Sequence, residues 1–244
     1  MNRAGATASR GGSGVVVARL LAIVLLCGAS GLLYHVASAE EFRVARVVVA
    51  GNELVSAAEL EVTAAVDGAN IFRIRLEEVE QRLQALPAVQ SARVTTFLPN
   101  GLQIQIAERT PVAIWQTGGT AYLVDQQGQV VGIGGAVQQL TRIRDLDGSD
   151  LRPGARVDAD ALVTTIRLET LLPAAARTAV RGFEYSRATG VDVLADFGPR
   201  VRFGDSEHLE WKASALAAIR RDLDRTGQRA ELIDLRFMDR PYIR

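Results

Sequence analysis

Between Leu20 and Ala39 the chain runs for 20 residues without a formal charge. At about 1.5 Å of rise per residue, such a run makes a helix about 30 Å long, the thickness of the hydrocarbon core of a bilayer. No other feature restricts the possible folds so strongly, because a span separates whatever precedes it from whatever follows. Residues 1–19 are rich in Gly, Ala and Ser, carry Arg3, Arg10 and Arg19 and contain no acid, which is the composition of a short disordered tail. Glu40 and Glu41 follow the span. Arginines before it and acids after it orient a helix over residues 20–39 with its N-terminus in the cytoplasm and its bulk outside. A competing reading uses Ala37-Ser38-Ala39, which has the small-x-small form of a signal-peptidase site and would release the chain after Ala39. The length of the apolar run favours a retained anchor, as do Tyr34 and His35 at its outer end. Cys27, the one cysteine, falls within the run, so the exported part must be stable by packing without an internal disulfide.

The stretch from Phe42 to Arg109 closes into one compact unit on local signals alone. Val44, Val47, Val48 and Val49 are β-branched and Gly51-Asn52 supplies a turn, which predicts a strand over Arg43 to Ala50. Ser56 and Glu59 form a capping box, with Val55 and Leu60 at the staple positions, so a helix starts at Ser56 and frays near Asp67-Gly68. Leu76, Val79, Leu83 and Leu86 make the apolar stripe of a second helix, cut off by Pro87. A hairpin follows: an extended run from Val89 to Leu98, the turn Pro99-Asn100-Gly101, and Leu102, Ile104 and Ile106 alternating with polar residues. The order β-α-α-β-β predicts a three-stranded sheet with two helices on one side.

From Thr110 the texture changes. Val112 to Gln116, Tyr122 to Asp125 and Gln129 to Ile133 have the rhythm of an antiparallel meander. Arg142 to Asp150 reads as a polar, turn-rich loop, and Asp158 to Leu172 as a helix ended by Pro173. Phe183 to Ser186, Val191 to Asp196 and Arg200 to Phe203 return to strands. A last helix starts at Ser206, with Leu209, Leu216, Ile219 and Leu223 on one stripe and Gly227 as its cap. The final strand, Ala230 to Met238, alternates Ile233, Leu235 and Phe237 with Asp234 and Arg236. The whole is an α+β chain: a transmembrane helix, the unit at 42–109, and a mainly antiparallel sheet domain at 110–244 that ends in an edge strand.

The 28 basic residues balance 28 acids and are dispersed along the chain, which argues against nucleic acid as a partner. His208 is the one histidine beyond the span, so neither a Ser-His-Asp nor a Cys-His arrangement is recognisable, and no cluster has transition-metal spacing. No Walker-type phosphate loop is present. Asp145 with Asp147, and Asp222 with Asp224, are read as solvated acids of a loop and a helix face. Glu108 and Arg109 are read as an ion pair or hydrogen-bond clasp where two domains join. No catalytic residue, metal, cofactor or small-molecule substrate is expected.

Several motifs stand in a fixed order: Val49-x-Gly51-Asn52, Asn70-Ile71-Phe72, Leu86-Pro87-x-Val89, Pro99-x-x-Leu102, Glu108-Arg109-x-Pro111-x-Ala113-x-Trp115 and Leu123-Val124-Asp125-x-x-Gly128. In this the chain resembles the FtsQ/DivIB family of bacterial cell-division proteins, which carry a POTRA domain and a β domain behind one membrane span. The resemblance implies a non-enzymatic scaffold of the inner membrane, placed at the septum, that links early and late division components. It also implies that the small coiled-coil proteins FtsB and FtsL dock on the last strand of the β domain and so help control septal wall synthesis. Carried onto this sequence, the family's Ile-Asp-Leu-Arg-aromatic pattern is Ile233 to Phe237. Arg236 and Phe237 would meet the partner, Met238 and Asp239 would continue the edge, and Lys212 would stand beside it. Pro241 lacks the N–H that ladder pairing needs, so the pattern weakens beyond Arg240. Each residue also has a plainer reading: Phe237 as a core aromatic, Arg236 as solvated, Lys212 as a stem over apolar surface. An alternative role, as a POTRA-bearing component of protein export or outer-membrane assembly, would require a membrane β-barrel after Thr110.

Overall fold

A computed structural model describes residues 12–134, 140–148, 150–237 and 241–244. The first helix, α1 (Gly12–Ser38), begins eight residues earlier than Leu20, because Val16 and Val17 extend the apolar run; residues 12–19, expected in the tail, are therefore helical. Within it Val16–Val36 is long and apolar enough to cross a membrane, and none of its residues is buried.

A short 3-10 turn, Glu40–Phe42, leads into β1 (Arg46–Ala50), α2 (Ala57–Ala64), α3 (Leu76–Gln84), β2 (Val89–Phe97) and β3 (Gly101–Glu108). The three strands form a sheet in the order β1-β3-β2, parallel between β1 and β3 and antiparallel between β3 and β2. Ser56 caps α2 as its sequence requires, its hydroxyl accepting from Glu59 N at 3.2 Å. The helix ends earlier than expected, with Ala65 in the left-handed conformation. Leu60, Leu83, Leu102 and Ile104 fill the space between helices and sheet.

The second sheet has nine strands. They are β4 (Pro111–Thr117), β5 (Thr120–Asp125), β6 (Val130–Ile133), β7 (Thr141–Asp145), β8 (Val180–Ser186), β9 (Gly190–Ala195), β10 (Arg200–Gly204), β11 (Leu232–Asp234) and β12 (Tyr242–Ile243). Their order is β12-β11-β10-β9-β8-β7-β4-β5-β6, an open sheet with two ends rather than a closed barrel. Helices α4 (Ala159–Ala176) and α5 (Leu209–Thr226) pack on each other and on one face, over Ile143, Phe183, Val193, Val201 and Ile233.

Two expectations need correction here. The polar segment at Arg142 to Asp150 is no mere loop: its first part is β7, a central strand pairing in parallel with both β4 and β8. One buried apolar residue, Ile143, suffices to seat it, because its neighbours Arg144 and Asp145 find partners of their own. Pro173 does not end α4. It lies in the last turn, where the missing N–H removes one helical bond, and the Arg177 and Thr178 amides reach back to the Leu172 carbonyl.

The two sheets share a boundary core, since Ile114, Leu123 and Val131 of the second pack with the residues of the first. Arg109 adds a polar tie across that boundary, its Nη1 lying 2.9 Å from Asp125 Oδ2. Glu108 points back instead, and its carboxylate accepts from the amides of Leu54 (2.6 Å) and Val55 (2.9 Å) just ahead of α2.

Candidate functional site

On the face of the nine-stranded sheet away from α4 and α5, a row of charges crosses five strands. The register sets Arg144 opposite Glu184, Glu184 opposite Asp192, Asp192 opposite Arg202 and Arg202 opposite Asp234. Each alternates with residues, such as Phe183 and Tyr185 or Val191 and Val193, that point to the helix side. The acids are buried beneath the arginines: Glu184 is 5% exposed, Asp192 2% and Asp234 7%. Arg202 grips Asp192 bidentately, at 2.9 and 3.0 Å, while Arg200 Nη2 lies 2.6 Å from Glu184 Oε2. The row closes at Arg236, whose Nη2 is 2.8 Å and Nε 3.0 Å from the Asp234 carboxylate.

Asp234 also bends the chain. Its Oδ1 accepts from Arg236 N at 3.1 Å, an Asx-type turn that takes the backbone out of the strand. The single edge strand expected from Ala230 to Met238 is therefore broken. β11 covers Leu232–Asp234 only, one further bond runs from Leu235 N to Arg202 O, and the chain returns after Pro241 as β12. Ile243 and Tyr242 pair with Ile233 and Asp234, so the chain's own end covers the rim expected to be open there. The outermost strand of the sheet is β12, which among the described residues has β11 as its one neighbour.

Arg236 and Phe237 lie at the corner of this edge. The Arg236 stem crosses Gly204, where the backbone takes φ +77° and an added Cβ would meet Arg236 Cγ at 2.8 Å. Its guanidinium carbon is 5.4 Å from the centre of the Phe237 ring. Phe237 is no core aromatic, being 59% exposed. The two residues border a cleft of about 410 Å³, whose other walls include Asp158, Tyr185, Gly204 and Asp205. Met238 and Asp239 lie outside the described residues.

Lys212, on α5, is brought near this corner but does not face outward. It is 3% exposed, and its ammonium donates to Phe203 O (2.8 Å), Asp205 O (3.3 Å) and Asp205 Oδ1 (2.8 Å), tying the β10–α5 turn to the helix. Burial pushes the Asp205 carboxyl up, but the hydrogen bond and charge of Lys212 outweigh it and hold that group below the ordinary carboxylate range. At Asp234 burial acts the same way and is outweighed by Arg236, helped by Arg202, so its carboxyl too is held low.

Other acids have partners of the same structural kind. Asp145, read from sequence as solvated, is buried and accepts from Trp115 Nε1 at 3.2 Å and Asp147 N at 2.9 Å. Asp158 caps α4 through Ala161 N and accepts from the Tyr185 hydroxyl at 2.8 Å. Burial and that bond to Asp158 push the Tyr185 phenol up, so it keeps its proton at neutral pH.

The charge row and β12 escaped the sequence reading. A signal for the row was present: Phe183-Glu184-Tyr185, Val191-Asp192-Val193, Val201-Arg202-Phe203 and Ile233-Asp234-Leu235 each set one charge between two apolar residues. Buried charges need opposite partners, so charges at strand centres in such triplets announce cross-strand pairing.

The comparisons with known proteins fall on the same two units. Residues 42–109 match the family model described as POTRA domain, FtsQ-type, and residues 113–236 match the model of the cell division protein FtsQ/DivIB C-terminal region. The cell division protein FtsQ of Chloroflexus aurantiacus is 32% identical over 212 residues, covering 86% of this chain and 76% of the relative. That of Chloroflexus aggregans is 32% identical over 214 residues, with the same coverages. The FtsQ of Streptomyces collinus is 31% identical over 214 residues, covering 84% and 79%. With both units matched in order behind an apolar N-terminal helix, the chain belongs to the FtsQ/DivIB family of cell-division proteins.

Proposed function

We propose that this chain is a non-catalytic scaffold of the division machinery, anchored by α1 with its N-terminus in the cytoplasm and its two sheet units outside. Standing at the septum, it holds FtsB and FtsL through the corner formed by β11, β12, Arg236 and Phe237, links early and late division components, and so helps control septal wall synthesis. The observation that carries this reading is the exposed Phe237 ring beside the outermost strand. A partner strand can add to the free side of β12, or take its place against β11, with Phe237 as the apolar anchor. β12 is only two residues long, so either mode disturbs little. Within the cleft Tyr185 bonds to Asp158, and the wall residues Asp160 and Asp205 bond to Ser206 and Lys212 behind it, roles that hold the corner's shape.

The test is co-purification of the full-length chain from membranes with the FtsB and FtsL of the same cell. Phe237→Ala should weaken capture by about tenfold or more, the scale of a truncated hot spot, while leaving thermal stability unchanged. Undiminished capture by a folded Phe237→Ala chain would remove this surface from the account.

A further inference from the structure

The loop that follows α2 reaches back to the end of α1. Asn70 Nδ2 donates to the backbone oxygen of Val36, the last residue of the apolar span, at 3.0 Å. Two neighbouring carbonyls of the same helix end are also satisfied, Tyr34 O by the Ser38 hydroxyl and His35 O by Ala39 N. The loop itself is fixed: Asn70 forms an antiparallel bridge with Arg43, Asn70 Oδ1 accepts from Phe72 N at 3.0 Å, and Ile71 N donates to Phe42 O at 2.9 Å. One asparagine therefore joins the span to the first sheet unit through both ends of its amide.

This fixes the depth of Phe72. Phe72 N lies 3.0 Å from Asn70 Oδ1, and Nδ2 of the same amide lies 3.0 Å from Val36 O. These bonds hold the start of Phe72 close to the end of the span, where the headgroup layer on each side of a bilayer is about 5–8 Å thick. A residue two positions from Asn70 therefore stands within that layer when α1 spans the membrane. Phe72 is 56% exposed, with its ring held edge-on against Phe42 at 5.3 Å between centres. Arg43 and Arg73 flank it, both exposed and without a side-chain bond or ion pair among the described residues. Glu40 and Glu41 are also near, the latter 3.9 Å from His35 Nε2, so the patch has no large net charge. An exposed aromatic ring at headgroup depth, with an exposed arginine next to it in the chain and another, Arg43, bridged to Asn70, fits a phospholipid surface, with the ring at the headgroup–acyl boundary and the arginines on phosphates.

We infer that the Asn70–Arg73 loop is a second membrane contact, which seats the first sheet unit against the lipid surface through Phe72, Arg43 and Arg73 and fixes its tilt relative to α1. This rests on α1 being a retained span, which resistance of the full-length chain to carbonate extraction tests separately. The inference is tested on the full-length chain with Cys27→Ala, reconstituted in phospholipid nanodiscs without other proteins. Single spin labels are placed by Phe72→Cys and, as an aqueous reference, Thr226→Cys. The label at 72 should be several-fold less accessible to a water-soluble relaxation agent than that at 226, and more accessible to oxygen, which concentrates in the acyl region. Equal accessibility at the two sites in a chain that resists carbonate would overturn the inference. So would protection at 72 that arises only when another division protein is added, because a protein rather than lipid would then cover the ring. Phe72 is exposed, so its replacement leaves the core intact; Phe72→Glu, with unchanged thermal unfolding, should make Cys labels at 43 and 73 more accessible to the aqueous agent.

Discussion

The Arg236 guanidinium folds back onto the Asp234 carboxylate two residues earlier, with Nη2 2.8 Å from Oδ2. Arg236 is thus the last member of a charge row that starts at Arg144 on β7, as well as a neighbour of the exposed Phe237. Its substitution must therefore act on the fold before it acts on any partner.

Arg236→Glu would set a second carboxylate against the buried Asp234 and remove a charge-assisted bond worth on the order of 1.5–3 kcal/mol. The expected outcome is a lower urea midpoint for the full-length chain in nanodiscs, followed by tryptophan fluorescence, together with weaker partner capture. Phe237→Ala should leave the midpoint where it was and affect capture alone. The contrast separates a pairing residue from a contact residue.

Acid should weaken the same corner. The folded-state carboxyls of Asp234 and Asp205 are held below the value of about 3.9 that an unfolded aspartate has. The folded chain then binds fewer protons than the unfolded one, so this contribution is complete above the unfolded value and is lost as pH falls through the folded one. Urea midpoints should drop as the pH is lowered below about 4. Asp234→Asn should make that drop shallower, and an unchanged slope in this variant would mean that the carboxylate is not the group responsible.

Lys212→Met should cost about 1–3 kcal/mol, because the Phe203 carbonyl loses its buried donor while Asp205 turns to water. Lys212→Arg should not restore the loss, since a planar fork does not fit a site shaped around three converging oxygens. Capture of FtsB and FtsL should fall no further than the loss of folded chain explains, as measured against unfolding under the same conditions.

Much of the first unit is legible in the sequence because its signals are local. The Ser56 cap, the Leu76–Leu86 stripe and the Pro99-Asn100-Gly101 turn each act within a few residues, and each helix or strand that they mark is present. The second sheet is less legible where stability comes from pairing across distance. β7 has one core residue and two basic ones, and becomes a strand because β4 and β8 accept it on both sides. β12 has two residues and a proline before it, and exists because β11 offers a ladder and the Asp234 turn sends the chain back. Lys212 reads as a surface lysine on an amphipathic helix, and its burial follows from three oxygens of the β10–α5 turn that the helix pattern cannot foresee.

A photoreactive phenylalanine placed at position 237 in living cells tests the central claim most directly, with the same probe at Val62, an exposed position on α2, as the reference. Irradiation should join position 237, and not position 62, to FtsB or FtsL. Adducts of equal yield at both positions, or adducts at 62 alone, would contradict a partner surface at the β11–β12 corner.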